Sequence, residues 1–397
     1  MKIKTAWSIN KNTKKAIAQA YQQLENELET QPSLIIAYTS VIHESAVVLE
    51  SLKKIAPNSL LHGGTSCQGA MTEEGFHSKD GIGLGLLGIH DPEGSYGIGL
   101  SNIEGDGRAA GAHAIQEAIQ NAGRAGEPPD LVWLNSAPGL EEDILLGIQD
   151  IIGENVPIAG GSTADNTVSG EWYQFTHQGA YQDAVIVTAM YPSVKTHLAF
   201  HSGYSPTQHR GEVTKAEHRT LYEIDGRPAA QVYNEWTEGV VQDSLEGGNV
   251  LLSTTLTPLG RMVGAIGEMP YYQLSHPESV TPEGGLSLFS EIEVGQEIFL
   301  MKGTQESLIS RAGRTALSAL RTERISPRQI SGALVVYCAG CMLTVQEQMP
   351  QVAVEIREAL GGNPFLGTFT FGEQGCFIRG KNRHGNLMIS VVVFESS

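Results

Sequence analysis

The sequence predicts an α/β fold of repeated strand–helix–strand units that form mixed sheets in two related halves. Three observations carry this reading. A short apolar run, a helical pattern and a second apolar run ending in a Gly-Ser/Thr loop recur three times along 397 residues. Additional strand candidates follow each recurrence, so antiparallel strands join a parallel pair. A polar, turn-rich stretch at 203–210 (GYSPTQHR) marks the best boundary between halves.

The first unit opens with the run 34–40 (LIIAYTS), continues as a helix over 44–55, and closes with 60–67 (LLHGGTSC). The second has 131–136 (LVWLNS), a helix over 141–152 and 158–163 (IAGGST). The third has 333–338 (ALVVYC), a helix over 348–360 and 364–370 (PFLGTFT). Short apolar runs bounded by turn residues read as buried strands, and the intervening 3.6-residue periodicity as crossover helices. Further strands are expected at 82–89, 96–103, 184–190, 194–200 and 387–394, and further helices at 14–28, 108–124, 228–238 and 306–320. A degenerate fourth unit is weighed at 228–267. The GxGxxG match at 83–88 lies inside a strand pattern, where its glycines serve close packing and not dinucleotide binding.

Composition narrows the function classes. Hydrophobic content of 41% with 18% charged residues is that of a packed globular chain. A net charge of −18 opposes phosphate backbones and anionic membrane surfaces, so no nucleic-acid partner is expected. No run of about 18 apolar residues occurs, so no membrane insertion is expected. The first residues lack the apolar stretch of a secretory signal, and four cysteines fit a reducing compartment; the cytoplasm is the expected location. The basic residues Arg379, Lys381 and Arg383 read as a solvated turn.

Glycine lets backbone N–H groups approach a ligand, and hydroxyls add adjustable donors and acceptors. The three loops therefore nominate a shared pocket for a small-molecule ligand, lined by Ser66, Cys67, Ser162, Thr163, Cys338, Thr370 and Glu373. His62 precedes the first loop and faces either the pocket or the core. Cys338 and Cys341 form a CxxC, and Cys376 follows in the same unit. These three could converge on zinc or an iron–sulfur cluster, work as redox thiols, or simply fill a close-packed loop. His197 and His201 share one face of an edge strand. No GxxxxGK[ST], GxSxG or HExxH occurs, so no catalytic residues are assigned.

The loops at 63–69 (GGTSCQG), 158–166 (IAGGSTADN) and 364–375 (PFLGTFTFGEQG), with 228–233 (PAAQVY) and 334–341 (LVVYCAGC), resemble the FIST family. The resemblance implies a sensory protein with an N-terminal half, here 1–205, and a C-terminal half, 206–397. It implies detection of a small ligand in bacterial signal transduction; a thiol- or metal-dependent enzyme using Cys338, Cys341 and Cys376 is the alternative to a non-enzymatic sensor. Stand-alone members imply a haem-dependent nitric oxide sensor acting through a separate histidine kinase; amino-acid-like molecules are the other ligand class. A haem would be held by a histidine or a cysteine thiolate. No CxxCH is present, because Met342 follows Cys341, which excludes covalent haem attachment at that motif. A homodimer is left open by the sequence.

Overall fold

The computed structural model describes residues 1–266, 268–322, 324–377 and 381–396; Arg379 lies outside them. The first unit runs β1 (Lys2–Ser8), α1 (Thr13–Leu28), β2 (Leu34–Thr39), α2 (Ser45–Ile55), β3 (Leu60–Thr65), the hairpin β4 (Ala70–Thr72) and β5 (Gly75–His77), then β6 (Leu84–His90). The second repeats that order as β7 (Ser95–Asn102), α3 (Gly107–Asn121), β8 (Leu131–Ser136), α4 (Glu141–Ile152), β9 (Ile158–Ser162), the hairpin β10 (Gln174–Thr176) and β11 (Ala180–Tyr181), then β12 (Ala184–Tyr191). The third begins with β13 (Thr196–His201) and is interrupted by an insertion.

The insertion contains β14 (Ser205–Glu217), β15 (Thr220–Ile224), β16 (Arg227–Pro228), α5 (Ala229–Trp236), β17 (Gly248–Asn249), α6 (Leu251–Thr254), β18 (Leu259–Ile266), β19 (Met269–Ser275), β20 (Pro277–Val280), β21 (Leu286–Leu288) and β22 (Glu297–Lys302). The third unit then resumes as α7 (Gln305–Thr322), β23 (Ile330–Cys338), α8 (Ala339–Thr344), α9 (Met349–Ala359), β24 (Phe365–Thr370), the hairpin β25 (Gly372–Cys376) and β26 (Asn382–Gly385), and β27 (Ile389–Glu395).

Each unit centres a six-stranded sheet: β1-β6-β2-β3-β10-β11, β7-β12-β8-β9-β25-β26 and β13-β27-β23-β24-β4-β5. The pairs β2/β3, β8/β9 and β23/β24 are parallel, and the outer pairings are antiparallel. The hairpin after each Gly-Ser/Thr loop leaves its own sheet. The first unit's hairpin joins β24, the second's joins β3, and the third's joins β9. Three sheets are thereby locked in a cycle, and the exchange crosses residue 205 in both directions.

Both faces of each sheet are covered, which explains the unbroken apolar runs. Leu34, Ile36 and Tyr38 of β2 point inward to a core shared with Leu131, Trp133, Leu334 and Val336. Ile35 and Ala37 point outward to α1 and α2, as the alternation of a strand requires. The pair α3/α4 covers the second sheet, and α7 with α9 the third. A Cβ at Gly111 would overlap the Ile144 main chain, so glycine sets the close approach of α3 to α4. The insertion has its own core, including Val213, Leu221, Tyr233, Leu259 and Ile298.

The stretch 228–267 is not a fourth unit. Its described residues form α5, β17, α6 and β18, the strands joining a nine-stranded sheet, with no parallel strand pair among the described residues there. The turn-rich stretch at 203–210 largely belongs to strand β14, whose polar residues sit mostly on an exposed surface. His197 and His201 do lie on an edge strand, but His197 meets Glu395 at 2.8 Å and His201 meets Ser318 at 3.1 Å.

The three loops meet through equivalent backbone hydrogen bonds. Ala164 N–H donates to Thr65 C=O, Phe371 N–H to Ser162 C=O, and Cys67 N–H to Phe369 C=O, each at 3.1 Å. Ser66 tightens one corner: its Oγ accepts from Phe369 N at 2.8 Å and donates to Gly69 O at 2.6 Å. Ser66→Ala would leave the Phe369 N–H unsatisfied, and the expected loss is about 1–3 kcal/mol. Urea unfolding checks this, with both halves melting in one transition because the strand exchange couples them.

Candidate functional site

A cavity of about 430 Å³ lies where the second unit, the third unit and the insertion meet. The second unit supplies Asn166, Thr167 and Val168. The third supplies Cys338, Gly340, Leu343, Thr370, Phe371 and Asn386. From the insertion come Asn249, Leu251, Leu252, His276, Glu278 and Phe289.

Local chemistry fixes each wall. The Asp165 carboxylate accepts from the N–H groups of Thr167, Ser169 and Glu171 at 2.8–3.0 Å, winding the chain after β9 into a tight loop. Asn166 ties that loop to the first unit through Gln68 N and Gly81 O. On the opposite wall, Val250 N donates to Glu278 O, and Thr254 Oγ1 donates to Pro277 O at 2.8 Å, clamping α6 to β20. Asn386 N donates to Leu274 O, and Asn386 Oδ1 accepts from His276 N at 3.3 Å.

Two of the lining side chains carry a buried polar atom without a protein partner: His276 Nε2 and Asn386 Nδ2. An orphaned buried polar group is costly, and a site for a polar ligand accounts for it. Burial holds the His276 imidazole down at about 4, with the Leu251 backbone pulling the other way, so it is neutral near pH 7. Burial, foremost, pushes the Cys338 thiol well above its ordinary value. Glu278 is then the one formal charge among the described lining residues.

The structure brings together only part of the expected pocket. Cys338 and Thr370 line the cavity. Glu373 sits behind Thr370, accepting from its hydroxyl at 2.8 Å and from Met388 N at 2.9 Å; burial raises its carboxyl well above the usual range. Ser162 instead donates to Glu141 at 2.7 Å, while Thr163 accepts from Gln174 at 2.5 Å. Ser66 is consumed by Phe369 and Gly69. Cys67 is buried in the third sheet's outer core, where burial and then Asp165 push its thiol up to about 12. The loops spend their polar groups on one another because the hairpin exchange presses them into contact.

His62 belongs to the core and not to the cavity. Its Nδ1 meets Thr188 Oγ1 at 2.8 Å and its Nε2 meets Asn135 Oδ1 at 2.5 Å; Asn135 also accepts from Tyr38 OH at 2.8 Å. Burial pushes this imidazole down to about 4 despite the Asn135 bond.

Nor do the cysteines gather around a metal. Among the described residues, Cys338, Cys341 and Cys376 do not place three ligand atoms within 4.8 Å of one another; the one group that does is Glu141, Glu142 and His384. Arg219 Nη2 lies 2.6 Å from Glu141 and 2.5 Å from Glu142, so a cation already occupies the space between those carboxylates and offsets one of their two charges. Haem fits the cavity poorly as well. His276 could offer a neutral nitrogen, but haem brings two carboxylates, and the described walls carry no lysine or arginine to receive them while Glu278 repels them. A wider surface cleft of about 870 Å³ beside α7, with Tyr271, Arg314, Arg321 and Phe377, contains none of the expected pocket residues.

Sequence reasoning missed His276, Glu278 and Asn386. The only local signal was a histidine and an asparagine set in otherwise strand-like runs, at 273–277 (QLSHP) and 385–388 (GNLM).

Buried neutral histidines make stability depend on pH. His62 and His276 titrate near 4 in the folded chain against an ordinary 6.5, so the unfolded chain binds more protons between those values. Their contribution is complete above pH 6.5 and is lost as the pH falls toward 4, at up to about 1.4 kcal/mol per pH unit for each. Urea unfolding of His62→Gln should show a shallower fall over that window than the parent protein.

Comparison with known proteins finds the following similarities. An uncharacterized protein of Methanocaldococcus jannaschii, MJ1623, is 27% identical over 214 residues, covering 51% of this chain and 40% of that protein. The chain therefore spans under half the length of that relative. Among solved structures, a cyanuric acid hydrolase from A. caulinodans aligns over 99% of both chains at 9% identity with a TM-score of 0.37. PurLQS from Thermotoga maritima aligns over 95% of this chain and 82% of its own at 10% identity and 0.24. Residues 33–227 match the FIST N domain and residues 229–376 match the FIST C domain, and together these cover most of the chain, which belongs to the FIST family.

Proposed function

We propose that this protein is a small-ligand sensor in signal transduction whose ligand occupies the cavity between the second unit, the third unit and the insertion. FIST domains are implicated in small-ligand sensing, which supports the class of function. The observation that carries the site is the pair of orphaned polar atoms, His276 Nε2 and Asn386 Nδ2, on the wall of a cavity that mixes polar and apolar side chains. Glu278 favours an amine, Asn386 offers a donor to a carboxylate or carbonyl, and Leu251, Phe289, Leu343 and Phe371 accept an apolar side chain. An amino-acid-like ligand meets these three demands better than haem, which would set two carboxylates against Glu278.

Ligand that contacts the insertion and the sheets together would favour one spacing between them. The exposed face so altered would be read by a separate protein, of which a histidine kinase is one candidate. No helix among the described residues is long and apolar enough to cross a membrane.

Thermal shift against the common free amino acids, and against haem by absorbance, tests the reading. At least one amino acid should raise the melting temperature, and Asn386→Ala should cut its affinity about 5–20-fold through loss of one hydrogen bond. Saturable uptake of one haem per chain with a Soret band would overturn the amino-acid reading and restore His276 as an axial ligand.

A further inference from the structure

One buried group is unexplained by the fold and unused by the ligand site. The Arg311 side chain is 2% exposed on α7, packed 5.4 Å from the ring centroids of both Tyr204 and Tyr337. Its Nη1 donates to Leu387 O at 2.9 Å. Among the described residues no carboxylate forms an ion pair with it, and the group that acts most strongly on its charge is Cys341. A buried guanidinium without a counter-charge is expensive, so an anion beside it is demanded.

Cys341 is placed to be that anion. Its Sγ lies 3.6 Å from Tyr204 OH, and the Cys338 thiol donates a hydrogen bond to it. Burial alone would raise the Cys341 thiol, but the Cys338 bond and the Arg311 charge together hold it below its ordinary value. Cys341 is wholly enclosed, whereas Cys338, one turn earlier in the chain, lines the cavity. Thiol, thiolate and an opening for a reagent are therefore contiguous.

We propose that Cys338 and Cys341 form a redox-active dithiol that a low-molecular-weight disulfide oxidises through the cavity. The Cys341 thiolate takes the proton of the Cys338 thiol along their hydrogen bond, and Cys338 sulfur attacks the incoming disulfide. One sulfur–sulfur bond breaks, a mixed disulfide forms on Cys338, and the first small thiolate leaves with the proton returned by Cys341. Cys341 sulfur then attacks the Cys338 sulfur and expels the second small thiolate. Two protein sulfurs are oxidised to one disulfide, and one small disulfide is reduced to a thiol and a thiolate, the latter taking its proton from water. Arg311 loses its counter-charge, so oxidation changes the electrostatics directly beneath the cavity wall. The inference holds whatever ligand the cavity takes.

Native protein incubated with cystamine, then alkylated, digested and weighed, tests this. The peptide carrying residues 338 and 341 should lose two hydrogen masses and resist alkylation. In Cys338→Ser, Cys341 should remain unmodified, because nothing reaches it. Arg311→Gln should slow the reaction about tenfold, and Arg311→Lys should recover most of the rate. Parent protein that keeps both thiols under conditions that oxidise an exposed control thiol would overturn the proposal. So would oxidation confined to Cys67 or Cys376. Because the parent reading stands alone, a variant that fails to fold does not rescue the idea.

Discussion

Three backbone hydrogen bonds around the Gly-Ser/Thr loops are the constraint on which the remainder of this fold rests. Each joins the loop of one unit to the loop of the next, and each is possible because the following hairpin has crossed into a neighbouring sheet. Glycine before each loop is required by contact, not by turn geometry. A Cβ at Gly64 would stand 2.5 Å from Thr163 Cγ2, and Gly161 and Gly367 face Thr370 and Met71 in the same way. A loop motif that looks built for a ligand is in this protein largely built for its own copies.

That economy places the cavity off the loop centre. Only the insertion stands away from the three-sheet cycle, and it carries its own hydrophobic core. Its strands β19 and β20 lean on the third unit through the Asn386 and His384 turns, leaving unpaired polar groups where the surfaces fail to close. Small-ligand sensing needs such a seam, since a site inside the locked cycle could not open without breaking the sheets. The dithiol beneath this seam adds a second chemical input at the same wall.

The parallel strand pairs and their crossover helices were readable because short apolar runs, helical periodicity and glycine loops repeat with consistent order. β2/β3, β8/β9 and β23/β24 all fall where the sequence puts them. Hairpin exchange was not readable: β4–β5 and β10–β11 are only two or three residues per strand, and nothing local tells a strand to pair with another unit. The exchange decides where the loop residues of the first two units face. Ser66, Cys67, Ser162 and Thr163 were expected to face a ligand, and they face other loops. Cys338 and Thr370 line the cavity, with Glu373 behind Thr370, on the side that the insertion covers. The insertion itself was opaque, since its polar exposed strand β14 reads as turn, and His276 gains meaning only through Asn386, 110 residues away.

The central claim is that ligand binds at the seam between insertion and sheets. Hydrogen–deuterium exchange, with and without the amino acid that gives the largest thermal shift, tests it most directly. Slowed exchange at 166–168, 249–252, 276–278, 338–343 and around Asn386 is the predicted result. Protection appearing instead beside α7 at 314–322, or none anywhere despite a saturable thermal shift, would contradict the account.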